Sequence, residues 1–226
     1  MSATPHGPIA IIGGTGKLGA ALARRWARVG LEVIIGSRDA ARAEEAAASL
    51  RGELRVAVGA DSNRAAAARA RTLVVTVPYA AHAATLEEIR VASAGKVVID
   101  TTVPLVPPKV MRVQLPPEGS AAVKAQQLLG PGATVVAAFH SVAAHKLATD
   151  ADIDCDVLVF GDDRGARARA VALARAAGLR GLHGGALANA AAAEALTSVL
   201  IFINKTYQVD GAGVRITGAL LEPSDA

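Results

Sequence analysis

Three groups of residues in this chain have types and spacings that do chemistry. The first is Gly14, Gly16 and Gly19, which fit G-x-G-x-x-G inside the stretch Ile9-Ala-Ile-Ile-Gly-Gly-Thr-Gly-Lys-Leu-Gly19. An apolar strand precedes the glycines, and a helical pattern at Leu18, Ala21, Leu22 and Trp26 follows them. In such a strand–turn–helix, Gly14 is expected to take a turn that a β-carbon would strain. Gly16 lets the backbone approach a pyrophosphate, and Gly19 lets the helix pack close to the strand. The free N–H groups and the positive end of the helix dipole then face the phosphates. The alternative is a glycine-rich connection in some other α/β protein.

The second group lies about 20 residues past the glycines, where a dinucleotide fold meets the adenine ribose. An acid there selects NAD, and a basic residue accommodates the 2′-phosphate of NADP. The chain has Ser37 and Arg38 at this place, with Arg42 one helical turn later. Two guanidiniums and a hydroxyl suit a phosphate dianion, and Thr15 is within reach of it. The competing reading is that both arginines belong to an ordinary solvated face. The third group is His140, which ends the apolar run Val135-Val-Ala-Ala-Phe-His140. It is equally a hydrogen-bonded core histidine or a site residue. His6, His82 and His183 are isolated in sequence and read as structural or exposed. No paired carboxylates, serine triad or metal-ligand spacing accompany them. An alcohol or hydroxyacid dehydrogenase needs a proton donor for the forming alkoxide. A mostly apolar site with one histidine instead suits hydride transfer to an acceptor that needs less help.

The elements that must position these residues alternate. Strands are expected at Glu32–Gly36, Arg55–Val58, Thr72–Val77, Lys96–Asp100, Thr134–Ala138, Asp156–Gly161 and Leu179–Leu182, with a last short one at Val214–Thr217. Helices fall between them, one of them capped by Asp39. Thr101 to Gly119 carries five prolines and reads as a functional loop beyond a strand. Ala186 to Asn204 reads as one nearly apolar helix, buried at the centre or shared with a second subunit. This order calls for an α/β Rossmann-type fold, doubly wound on a mostly parallel sheet. The expected division is a nucleotide-binding domain over residues 1–140 and a smaller α/β extension over 141–226. Ligands in open parallel sheets sit beyond the strands' carboxyl ends. That gathers Val77, Pro78 and Tyr79, then Thr102 to Leu105, then Phe139 to Ala144.

The chain's 226 residues are 52% hydrophobic and 3% aromatic, with a formal charge of +4. The hydrophobic share is rich in alanine, which fits a small-residue core with many helices. The arginines are spread along helices and no basic run is interleaved with aromatics, so nucleic-acid binding is not expected. One cysteine, Cys155, excludes an internal disulfide framework and suits a reducing cytoplasm. Residues 1–8 lack signal-peptide features, and no membrane span is expected.

Beyond the glycine turn, the chain resembles the NADPH-dependent reductases of the deazaflavin coenzyme F420. The resemblance runs nearly end to end. It includes Gly13-Gly14-Thr15-Gly16-Lys17-Leu18-Gly19, Gly36-Ser37-Arg38 with Arg42, and Thr76-Val77-Pro78 followed by an aromatic. Val103-Pro104-Leu105-Val106, Phe139-His140-Ser141, Gly161-Asp162-Asp163, Asn189, Glu194-Ala195-Leu196-Thr197 and Gly211-Ala212-Gly213-Val214 are the more specific segments. The resemblance implies NADP contacts at Thr15 to Leu18, Ser37, Arg38, Arg42, Val77, Ala81, Val103 and Ala144, with Pro78 and Pro104 in the same motifs. It implies a deazaflavin beside the nicotinamide, with His140 and Val142 on its side, and a homodimer. Catalysis is then mainly juxtaposition of two rings, with His140 positioning the deazaflavin. Two rival readings stay open. One is an NADP-dependent imine or hydroxyacid reductase, for which the late lysines Lys146 and Lys205 lie in no convincing motif. The other is a non-catalytic NADP sensor.

Overall fold

A computed structural model describes residues 7–221. The central sheet has eight strands in the order β3-β2-β1-β4-β5-β6-β7-β8. The strands are β1 (Ile9–Ile12), β2 (Val33–Ser37), β3 (Val58–Ser62), β4 (Thr72–Val75), β5 (Val97–Asp100), β6 (Thr134–Ala137), β7 (Asp156–Phe160) and β8 (Arg180–Gly185). The strands from β1 to β6 are all parallel. β7 joins β6 antiparallel through Ala137 and Phe160, and β8 runs parallel to β7. The sheet therefore continues across residue 140, and the later residues extend it.

The helices are α1 (Lys17–Arg28), α2 (Ala40–Leu54), α3 (Asn63–Arg69), α4 (Tyr79–Ile89), α5 (Ala121–Leu129), α6 (Ala144–Leu147), α7 (Arg164–Ala176) and α8 (Ala190–Tyr207). They cover both faces of the sheet, because alternate strand residues point to opposite sides. Ile9 and Ile11 pack with α1, α2 and α7, whereas Ala10 and Ile12 pack with α3, α4, α5 and α8. Trp26 anchors the first layer: it is fully buried, and its Nε1 donates to the Leu173 carbonyl at 2.8 Å. Burying a large apolar side chain stabilises a fold by roughly 1.5–3 kcal/mol, so a single residue of this kind matters to the whole domain.

Several elements depart from the sequence reading. The strand expected at Arg55–Val58 forms at Val58–Ser62, because α2 runs on to Leu54 and ends with Arg55 in the left-handed region, φ 58°. Gly59 and Asp61 are poor strand formers, and only pairing with β2 along Val33–Ser37 holds them extended. Val214–Thr217 is not a strand. The Asp156 N–H donates to the Val214 carbonyl at 2.7 Å, and the Ile216 N–H donates to Asp156 Oδ2 at 2.6 Å. The late helix begins with a 3-10 turn at Leu187–Asn189 before α8. By length and composition alone, 187–207 is apolar enough to cross a membrane, with 33% of its most apolar window buried. Glu194, 1% exposed in its middle, instead ties it to the domain by accepting the Ala121 and Ala122 N–H groups at 2.7 and 3.1 Å.

Candidate functional site

Strand order reverses between β1 and β4, and the crevice at that reversal is where such sheets bind ligands. The turn leaving β1 is built as the glycine pattern predicts. Gly13, just ahead of the motif, takes the left-handed conformation, φ +77°. A β-carbon on Gly14 would stand 2.8 Å from the Ile11 carbonyl oxygen, so that position also requires glycine, through crowding. Gly19 fulfils its expected part. A β-carbon there would come within 2.5 Å of Thr76 Oγ1 and 2.8 Å of Gly14 Cα. α1 begins at Gly16 with no side-chain cap, whereas Asp39, Ser62, Ser120 and Asp163 cap α2, α3, α5 and α7. The Gly16 N–H donates to the Gly13 carbonyl at 3.0 Å, and the first N–H groups of α1, at the exposed Lys17 and the half-buried Leu18, are left for an anion. Thr15 sits half-buried within the turn.

A residue that sequence reasoning missed holds this turn. Asn63, 1% exposed as the first residue of α3, accepts the Gly13 N–H at 3.2 Å and donates from Nδ2 to Glu88 at 3.3 Å. Its partner is 50 residues away in sequence, so no local pattern marks it. At the end of β2, Ser37 is buried and its Oγ accepts the Asp39 N–H at 3.2 Å. Arg38 and Arg42 are exposed, and among the described residues neither guanidinium has a carboxylate partner. Arg38 lines a cavity of about 450 Å³ together with Pro78, Ala81, Ala84, Thr85 and Glu88. Val77, half-buried, lies against the turn, since a β-carbon on Gly13 would touch its Cγ1 at 2.5 Å.

The ends of β5 and β6 bring titratable groups together out of water. Asp100 is fully buried, accepts from His82 Nε2 at 2.7 Å and accepts the Thr102 N–H at 3.0 Å. Burial opposes its charge, but His82 and the Thr102 N–H hold its carboxyl below the usual carboxylate range. His82 is thus structural, one of its two expected roles, but not isolated: its partner Asp100 lies 18 residues away at the end of β5. Burial pushes the Glu194 carboxyl up to about 7, despite the two N–H groups it accepts. Val103 and Pro104 follow in the loop, and Pro104 is buried.

His140 follows Phe139, a non-glycine residue with φ 68°. Such a conformation costs on the order of 1–3 kcal/mol and persists only where surroundings enforce it. Here Phe139 is buried edge-on against Trp26 with ring centroids 6.0 Å apart. The kink delivers His140 into a cavity of about 410 Å³, with Val142, Thr197, Ile201, Asn204 and Gly211 among its walls. Burial pushes the His140 imidazole down to about 4, so it is neutral near neutral pH. Its buried Nε2 has no partner among the described residues. Ala144 opens α6 beside this cavity, half-buried. A larger cavity of about 750 Å³ runs along α7 and β8 and contains none of these groups. Its Arg180 is already paired with Asp156 through two 2.7 Å hydrogen bonds.

The sheet order, the uncapped glycine turn and the paired cavities define a Rossmann-type nucleotide-binding protein. Residues 8–104 match the family described as NADP oxidoreductase, coenzyme F420-dependent. The F420-dependent NADP reductase of Methanothermobacter thermautotrophicus is 42% identical over 218 residues, covering 92% of this chain and 94% of that protein. Its Methanothermobacter marburgensis counterpart is 40% identical over 220 residues, covering 92% and 97%. A solved Arthrobacter sp. FB24 structure, provisionally assigned as an F420-dependent NADP reductase, superposes with a TM-score of 0.80 at 25% identity. That match covers 94% of this chain and all of the other. The chain belongs to the F420-dependent NADP reductase family.

Proposed function

We propose that this protein transfers a hydride directly between NADP(H) and the deazaflavin coenzyme F420. The observation that carries the reading is likeness along 92% of the chain to a reductase of that name. The geometry supports it with two separate binding regions. The glycine turn with Ser37, Arg38 and Arg42 suits the dinucleotide and its 2′-phosphate. The His140 cavity suits a flat, largely apolar ring with a polar edge. NADP and F420 are both substrates, and hydride passes between their rings.

The chain's own residues bind, orient and exclude water. The Lys17 and Leu18 N–H groups at the start of α1 take the pyrophosphate, which approaches over the side-chain-free Gly14 and Gly16. Val77, Val103, Pro104 and Ala144 line the nicotinamide's path, whereas Pro78 and Ala81 line the cavity beside Arg38. His140 and Val142 hold the deazaflavin, and the unpartnered Nε2 of a neutral His140 offers it one hydrogen bond. A neutral imidazole is a very weak acid, and burial keeps the imidazolium form of His140 unpopulated near pH 7, which favours positioning over acid catalysis. NADP+ added to reduced deazaflavin tests the activity: the oxidised deazaflavin absorbance band should appear, and its absence would sink the proposal.

The protein is proposed to act as a homodimer in the cytoplasm. α8 supports the dimer, because it presents Val199 and Phe202 outward at 43% and 53% exposure. Light scattering at micromolar concentration should give the mass of two chains, and a monomer removes this claim. Cys155, a buried free thiol, fits a reducing compartment.

A further inference from the structure

We propose that Glu88 reads the base of the dinucleotide, accepting a hydrogen bond from the 6-amino group of adenine. The inference rests on the nucleotide reading above and assigns a specificity-determining residue within it. The cavity of about 450 Å³ has three kinds of wall. Pro78, Ala81 and Ala84 give an apolar surface with no long side chain, which leaves room for a flat ring. Arg38 stands at the end of β2, and a guanidinium plane stacks well on an aromatic face. The carboxylate of Glu88, about two and a half turns along α4 from its start, supplies an acceptor.

That acceptor is aimed. Asn63 is buried, and its Oδ1 must face the Gly13 N–H that it accepts. Its Nδ2 is thereby turned to Glu88 Oε2 at 3.3 Å. The side chain that sets the phosphate turn therefore also orients the carboxylate. Glu88 Oε1 has no hydrogen-bond partner among the described residues. A carboxylate accepts and does not donate. Adenine carries an amino donor at carbon 6, whereas hypoxanthine carries a carbonyl oxygen there, which a carboxylate repels. If Glu88 served only to hold Asn63, both bases would bind alike.

Equilibrium binding of NADPH and of its hypoxanthine analogue, to the wild type, Glu88→Ala and Glu88→Gln, tests this. Glu88 is exposed on its helix, so neither variant empties the core. The wild type should prefer NADPH by about tenfold or more, the scale of one hydrogen bond to a charged group. Glu88→Ala should erase the preference by weakening NADPH and sparing the analogue. Glu88→Gln should bind both about equally, because an amide offers either a donor or an acceptor. A wild type without preference, or a Glu88→Ala that keeps it, overturns the inference. So does an equal loss for both nucleotides, which would mark Glu88 as support for Asn63 alone. Binding of neither nucleotide by the wild type overturns the nucleotide reading and this inference together. Intact hydride transfer with an unchanged base preference overturns only the role of Glu88.

Discussion

Thr197 Oγ1 on α8 lies 3.1 Å from the backbone carbonyl of His140, across 57 residues of sequence, and shares its one proton between that carbonyl and the Ala193 carbonyl, also at 3.1 Å. The late apolar helix thus touches the backbone of His140, the buried histidine of the proposed deazaflavin cavity. Thr197→Val keeps the shape and removes the donor. It should cost about 1 kcal/mol of stability, lowering Tm by roughly 2–4 °C for a domain of this size. The KM for deazaflavin should rise severalfold while that for NADPH stays unchanged, as steady-state kinetics would read. Equal changes in both constants would count against this coupling.

His140→Asn and His140→Gln test positioning against proton donation. Either amide can replace one hydrogen bond to the ring, so deazaflavin binding should weaken modestly while NADPH binding holds. Loss of a proton donor would instead slow the chemical step by about a hundredfold or more. Single-turnover hydride transfer at saturating deazaflavin separates the two, and a collapse of that step refutes the positioning role.

His140 also gives stability a pH dependence of known sign. The folded chain keeps it neutral down to about 4, whereas an unperturbed histidine takes up its proton near 6.5. The unfolded state therefore binds more protons in that window, and stability falls as pH drops through it. The loss attributable to His140 between about pH 7 and pH 5 is about 2 kcal/mol. Glu194 acts oppositely, since its folded value is raised from 4.5 to about 7. Its contribution is full below the unfolded value and is lost as pH rises through the window. The two windows overlap, so the slopes offset in the wild type: urea unfolding against pH should show stability falling as pH rises in His140→Asn, where Glu194 remains, and rising with pH in Glu194→Gln, where His140 remains. A wild-type profile unchanged in both variants would be inconsistent with these burial effects.

Arg42→Ala should raise the KM for NADPH about ten- to a hundredfold, the scale of one charged hydrogen bond, and leave NADH nearly untouched. Arg38 also lines the cavity beside α4. Its loss should therefore weaken NADH as well, by a smaller factor. Equal effects of Arg42→Ala on both nucleotides would move the 2′-phosphate elsewhere.

The order of strands and helices and the glycine turn were legible in the sequence because each rests on neighbours. A β1 run of Ile9-Ala-Ile-Ile12, glycines at fixed offsets and an Asp39 cap all act over a few residues. β3 was misplaced by three residues because Gly59 and Asp61 have no strand preference of their own, and only β2 extends them. The residues that hold the site are bonded over long separations instead. Asn63 reaches Gly13, His82 reaches Asp100 and Glu194 reaches Ala121. Sequence alone thus determined which chemistry the chain could bind, since types and short spacings decide that. Tertiary structure decided which groups are charged, oriented or free. Burial and hydrogen-bond partners set those properties, and both come from segments that meet only when the sheet has closed.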